Sequence, residues 1–200
     1  MLLIILAVKK NNNCMLKANI KIGLIILVAG LYAIVRYHVF GPVLWRDLPV
    51  FTFNKILIFS VLILWSLKGH QFFKLVEKPL VLNLIKIFVA LHILLSQIVL
   101  KPYYLKSFFA DDSLSLSGNL SVWAGAMAAA VFFGGKLIQL SQALRFLLLT
   151  GFIALHLIFM GGASWLQPQT WYGGMPPITL ISFVLVVYVA VRQIRVNNNI

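Results

Sequence analysis

Residues Val81–Leu100 read VLNLIKIFVALHILLSQIVL, a run in which Lys86 is the one charged side chain and His92 lies near the middle. A helix needs about 20 mostly apolar residues to cross the hydrocarbon core of a bilayer, so this stretch predicts a transmembrane helix. Five further apolar segments are shorter, but their aromatic and basic flanks extend them, and we predict that they span as well: Ile22–Tyr37, Ile56–Phe72, Ser117–Phe133, Phe146–Ala163 and Ile178–Val191. The expected fold class is therefore all-α, an integral membrane bundle of six transmembrane helices.

The composition of the whole chain supports this class. Of its 200 residues, 62% are hydrophobic and 10% are charged, and the mean hydropathy is +0.98. Soluble domains are about 45–50% apolar and about 25% charged, which excludes a soluble globular enzyme, a disordered chain and a collagen-like fibre. Cys14 is the only cysteine, so a disulfide scaffold is excluded as well. The net charge of +13 does not indicate nucleic-acid binding, because no solvated basic run is interleaved with aromatic residues.

Basic residues are distributed unequally between the two sides of the predicted bundle. The side with both termini and the 2–3 and 4–5 connections holds twelve, namely Lys9, Lys10, Lys17, Lys21, Lys68, Lys74, Lys78, Lys86, Lys136, Arg145, Arg192 and Arg195. The other side holds five, namely Arg36, Arg46, Lys55, Lys101 and Lys106. Since cytoplasmic flanks retain Lys and Arg, both termini are expected in the cytoplasm, and the expected location is a bacterial inner (plasma) membrane.

These spans divide the chain into three parts. We expect a cytoplasmic N-terminal segment over residues 1–21, a six-helix transmembrane domain over 22–193 and a cytoplasmic tail over 194–200. The apolar start Met1–Val8 is too short to span, and it lacks the basic start and small-residue cleavage site of a signal peptide. Met15 is an alternative start of the protein.

Two histidines inside the predicted spans are the strongest functional candidates. His92 and His156 have apolar neighbours on both sides, and no Asp or Glu lies inside any predicted span to pair with them. Polar residues inside a membrane are costly and mark functional sites by default. Each histidine precedes the end of its helix by nine residues, measured to Lys101 and to Trp165, which places both imidazoles roughly 13 Å below the same boundary. Two neutral imidazoles at equal depth on parallel helices can ligate one haem iron from opposite faces.

The alternative for each histidine is a structural hydrogen bond. A buried histidine can stabilise helix packing by bonding a hydroxyl, an amide or a backbone carbonyl, and Ser96, Gln97 and Thr150 are available for this role. The other two histidines, His38 and His70, lie at span ends and are expected to be interfacial anchors, with contact to a haem propionate or a quinone as the less favoured alternative.

Three further stretches admit a functional and a structural interpretation. The small residues of Trp123–Ala130 allow close approach of a neighbouring helix or of a flat cofactor, with packing as the default. The Trp171–Pro177 turn and the cluster Lys101–Lys106 are expected to be interfacial anchors, although either could contact a cofactor or an anionic partner. No phosphate-binding glycine loop, paired metal-ligand spacing or nucleophile elbow is present in the sequence.

At His92 and His156 the chain resembles the ferric reductase-like transmembrane domain family, a haem-binding group that includes the haem subunit of the periplasmic methionine sulfoxide reductase. Leu91-His92 with Leu94-Leu95-Ser96 resembles the first ligand segment, and Leu144–Leu149 running on to Ala154-Leu155-His156 resembles the fifth-helix segment. The resemblance covers about Lys55–Trp165 and implies haem held between helices three and five. Family members often carry a second histidine where this chain has Ala143, so the resemblance implies a single-haem variant.

The sequence thus predicts one haem b, an iron centre with His92 and His156 as metal and cofactor ligands and no catalytic residue from the chain. Electrons would pass between a quinol or cytoplasmic reductase and an acceptor near the outer face, so the protein would be at most the electron-transfer subunit of an oxidoreductase. A redox partner protein or a quinone is expected beside the lipid bilayer. The alternatives are a small transporter or channel, and a non-catalytic assembly subunit whose histidines only form hydrogen bonds.

Overall fold

The computed structural model describes residues 19–67, 78–135 and 137–198. Within them lie six helices that are long and apolar enough to cross a membrane, which confirms the six-helix prediction and makes the chain a multi-pass membrane protein. Their bounds are α1 Asn19–Val39, α2 Trp45–Leu67, α3 Lys78–Val99, α4 Leu116–Gly134, α5 Gln142–Trp165 and α6 Ile178–Asn198. A two-stranded antiparallel hairpin, β1 Phe109–Ala110 with β2 Ser113–Leu114, lies in the connection between α3 and α4.

The second span begins earlier than the sequence indicates. A 3₁₀ turn at Trp45–Asp47 and a π-helical turn at Leu48–Thr52 lead directly into the regular helix Phe53–Leu67. Proline is tolerated in the first helical turn because its missing N–H has no partner there in any case, so Pro49 does not end the span. At the other end of the chain α6 continues to Asn198, so part of the expected 194–200 tail extends the last helix.

Helix α2 is the centre of the bundle. Of its span, 61% is buried, against 11% for the spans of α3 and of α5. One buried cluster joins α2 to α1 and α3 through Ile25, Leu64 and Ile85, and another joins it to α5 and α6 through Leu62, Leu157 and Val186. The side chains of α2 therefore face the interior of the bundle on several sides.

The connections α1–α2, α3–α4 and α5–α6 meet at one end of the bundle. We call residues 40–44, 100–115 and 166–177, together with the first turn of α2, the cap. The hydroxyl of Tyr32 near the end of α1 donates to the Pro176 carbonyl at 2.6 Å, and the Arg36 guanidinium donates to the Met175 carbonyl. The tyrosine pair Tyr103 and Tyr104 donates to the Asp47 carboxylate at 2.9 and 3.2 Å. These contacts show that α3 and α5 both end at the cap and run parallel.

Candidate functional site

His92 on α3 is held by an amide of the central helix. Its Nδ1 lies 2.5 Å from Asn54 Oδ1, and Asn54 is 2% exposed. The Asn54 amide nitrogen donates to the Ser96 hydroxyl at 3.2 Å, which fixes the direction of the amide so that its oxygen faces the imidazole. An amide oxygen can only accept, so the His92 imidazole carries its proton on Nδ1 and donates to α2.

His156 on α5 is held in the same way by α4. Its Nδ1 lies 2.8 Å from the backbone carbonyl oxygen of Ser121 and 3.2 Å from the Ser121 hydroxyl. A carbonyl oxygen is an acceptor, so this imidazole also carries its proton on Nδ1. Ser121 is fully buried, and the bond therefore ties the ring firmly to the neighbouring helix.

The consequence for both rings concerns their second nitrogen. A neutral imidazole protonated on Nδ1 has a lone pair on Nε2. Neither Nε2 has a protein partner among the described residues, and neither is among the fully buried unpaired atoms, so each retains accessible surface. Donation of the other ring nitrogen to a carbonyl or amide is the usual arrangement behind a metal-bound histidine, because it fixes the tautomer and the orientation of the ring.

The two imidazoles interact electrostatically although their helices share no extensive packing. His92 and His156 are within electrostatic range of each other, and Lys55 is within range of both. Helix α3 packs mainly on α2 while α5 packs on α4 and α6, and no extensive packing joins α3 to α5 in the described parts of the chain. His92 lies seven residues before Val99 and His156 nine before Trp165, which gives depths of about 10 and 14 Å below the helix ends.

Helix α4 makes room for the His156 ring at Gly125. A Cβ atom at this position would lie 3.0 Å from His156 Nδ1 and 3.3 Å from its Cε1, closer than ordinary van der Waals contact. The small residues Ala124 and Ala128 on the same helix are buried. Close packing is the default interpretation of the Trp123–Ala130 stretch, and at Gly125 it allows the His156 ring to pack directly against α4.

The remaining histidines do not join this site. His38 is 8% exposed; its Nδ1 donates to the Val43 carbonyl at 3.0 Å, its Nε2 accepts from the Thr52 hydroxyl at 2.7 Å, and its ring stacks on Trp45. With both nitrogens engaged it is a buried structural residue rather than the interfacial anchor expected from its position at a span end. His70 lies outside the described residues.

The two loop stretches singled out in the sequence belong to the cap. In Lys101–Lys106, the Tyr103 hydroxyl accepts from Arg46 and donates to the buried Asp47, to which Tyr104 also donates. Burial and the neighbouring Asp47 carboxylate raise the pKa of Tyr104, so its hydroxyl remains a donor at neutral pH.

In Trp171–Pro177 the indole of Trp171 donates to the Ser164 carbonyl at 2.9 Å, and the Tyr172 ring lies 5.2 Å from the Arg36 guanidinium carbon. Gly173 has a φ of +59° and lies directly against the Phe40 ring, so only a glycine fits here without strain. The polar and aromatic groups of both stretches thus bind other parts of the cap or the adjoining ends of α1 and α5.

The partners of the two site histidines are the residues that sequence reasoning missed. The predicted span Ile56–Phe72 leaves Asn54 outside the membrane, and the sequence assigns no role to Ser121. Of the expected partners, Ser96 reaches His92 only through Asn54, and the Thr150 hydroxyl bonds to carbonyls of its own helix. The sequence offers one indication of the His92 partner, namely Asn54 and Lys55 at the start of an apolar run. If polar groups at that position are buried, they must be paired.

No group of three His, Cys, Asp or Glu side chains in the described residues could hold a bare metal ion. No protein-family model, curated protein or solved structure matches the chain. The family resemblance and the haem assignment thus remain predictions from the residues.

Proposed function

We propose that the protein is a membrane haem b protein that transfers electrons, in which His92 and His156 would hold one haem. The observation that carries the proposal is the paired tautomer: both imidazoles donate through Nδ1 to fixed acceptors and keep an accessible Nε2 lone pair. Bis-histidine ligation of a b-type haem uses the same nitrogens.

The surroundings of the two rings fit a flat, apolar group. The histidine helices α3 and α5 are not packed extensively on one another, whereas α2 and α4 lie behind the rings and supply the hydrogen bonds that orient them. Gly125 leaves room on α4 for the His156 ring, which a Cβ atom at that position would crowd. When bound there, haem supplies a one-electron Fe(III)/Fe(II) couple.

The chain's own residues have three tasks in this proposal. Asn54 and the Ser121 carbonyl hold the rings in the ligating tautomer, the apolar spans exclude water, and the cap closes one end of the bundle. We further propose a quinol or a cytoplasmic reductase as the electron donor and an acceptor at the cap end, in a bacterial inner membrane with both termini in the cytoplasm. This orientation follows from the distribution of basic residues.

The hydrogen bonds themselves favour one competing function. They join α3 to α2 and α5 to α4, and in an assembly subunit they would serve helix packing alone. A transporter has less support, because the one carboxylate in the described spans, Asp47, lies in the cap and is bonded by two tyrosines.

The test is the haem content of purified variants. His92→Ala and His156→Ala are each expected to lose haem while circular dichroism shows that the helices are retained. His38→Gln is the matched control, because both ring nitrogens of His38 are bonded, to Val43 and to Thr52, and it is expected to keep the wild-type haem content. Equal haem-to-protein ratios in all four proteins, or no haem in any of them, would favour the assembly subunit.

A further inference from the structure

Lys55 is a buried basic residue beside the two imidazoles. It follows Asn54, the residue that bonds His92, and its side chain is 8% exposed. Its Nζ lies 5.3 Å from the centroid of the Phe51 ring. Within the described residues it forms no ion pair and no hydrogen bond, although its Nζ retains accessible surface.

An ammonium group inside a membrane bundle is stabilised by an anionic partner. Burial of a charge is costly unless the charge is paired and hydrogen-bonded, and the attraction to the face of one aromatic ring is weaker than an ion pair. The carboxylates of the described residues do not fill this role: Asp47 is bonded by Tyr103 and Tyr104, and the remaining two, Asp111 and Asp112, form the exposed turn between β1 and β2.

The position of Lys55 indicates where its partner comes from. Lys55 directly follows the residue that bonds His92 on the central helix, and its charge is within electrostatic range of both His92 and His156, so an anion bound at its Nζ is within electrostatic range of the proposed site. A neutral imidazole supplies no negative charge, whereas an acid group on the ligand of the proposed site would supply it.

We propose that Lys55 binds a carboxylate of the ligand held between His92 and His156. This inference rests on the proposed function and deepens it, since with haem b the carboxylate is a propionate. The lysine fixes the rotation of the ligand about the axis between the two histidines, and it offsets the negative charge that a propionate carries into an apolar site. Lys55 thus selects ligands with a free acid group over ligands of the same shape without one.

The experiment measures the affinity of the full chain, purified from haem-starved cells, for haemin and for haemin dimethyl ester, in which both propionates are neutral. We expect the wild type to bind haemin about 10-fold or more tightly than the ester, in the range of measured close charge pairs. Lys55→Met is expected to remove this preference, and Lys55→Arg to retain it. Lys86→Met is the matched control, because Lys86 is an exposed lysine of α3.

Each outcome decides the proposal. A preference for haemin that Lys55→Met abolishes and Lys86→Met preserves would support it. Bis-histidine binding with the same haemin-to-ester ratio in wild type and Lys55→Met would overturn the role of Lys55 and leave the proposed function standing. Failure of the wild type to bind either compound would overturn both. Should Lys55→Met not fold, Lys55→Gln provides the same comparison with a polar side chain.

Discussion

Gly125 provides the sharpest test of how the site is built. In Gly125→Ala the new methyl group would lie 3.0 Å from His156 Nδ1, and the ring must move away from α4 by a few tenths of an ångström. Because the acceptor, the Ser121 carbonyl, is on the same helix as Gly125, this movement lengthens the 2.8 Å hydrogen bond toward about 3.2 Å, the limit of good geometry.

The magnitude follows from the hydrogen bond at risk. A net contribution of about 0.5–1.5 kcal/mol corresponds to a loss of about 2- to 12-fold in haem affinity, since about 1.4 kcal/mol is tenfold. Helix propensity acts in the opposite direction, because alanine stabilises a helix interior by about 0.8–1.0 kcal/mol relative to glycine. Gly125→Ala should therefore bind haem more weakly without a matching loss of fold stability.

Gly151→Ala on α5 is the matched control for this prediction. No atom lies within 4 Å of a Cβ at residue 151, so only the gain in helix propensity applies. The assay is a haemin titration followed at the Soret band, with thermal unfolding in the same detergent. Equal haem affinities for the Gly125→Ala and Gly151→Ala proteins would refute the argument that α4 positions the His156 ring.

Two further predictions concern Asn54 and the cap. Asn54→Leu removes the acceptor of His92 Nδ1 and should lower haem affinity by about 10- to 100-fold, measured by the same titration. Asn83→Leu, at an exposed position of α3, should leave the haem affinity unchanged. Equal losses of affinity in both variants would contradict the role of the Asn54 amide. Tyr103→Phe removes one of the two hydroxyls that donate to the buried Asp47. Denaturant unfolding should show a free energy of unfolding lower by about 1.5–3 kcal/mol. The haemin titration should show an unchanged haem affinity. A Tyr103→Phe protein as stable as the wild type would show that the cap does not depend on this bond.

The fold was largely predictable because a bilayer imposes one dominant requirement on the sequence. Six apolar runs are necessary for six spans, and runs such as Val81–Leu100 are visible from hydropathy alone. The start of α2 was not predictable in this way. Hydropathy treats Asn54 and Lys55 as outside the membrane, whereas in the fold they face the interior of the bundle, where neighbouring helices cover them.

The candidate site was predictable in part for the same reason. An imidazole in the middle of an apolar run is conspicuous in the sequence, so His92 and His156 were identified. Their partners were not, because contacts between helices depend on which helices pack together and at what rotation, and a sequence without repeats does not determine either. The acceptor for His156 is a backbone carbonyl at Ser121, a group present at every residue, and no sequence pattern could have indicated it.

The most direct measurement of the central claim is the visible absorption spectrum of the detergent-purified protein from haem-replete cells, first oxidised and then reduced with dithionite. If His92 and His156 hold haem, we expect a Soret band that shifts on reduction and sharp α and β bands typical of low-spin haem. A colourless protein would contradict the electron-transfer function and leave both imidazoles with a role in helix packing alone.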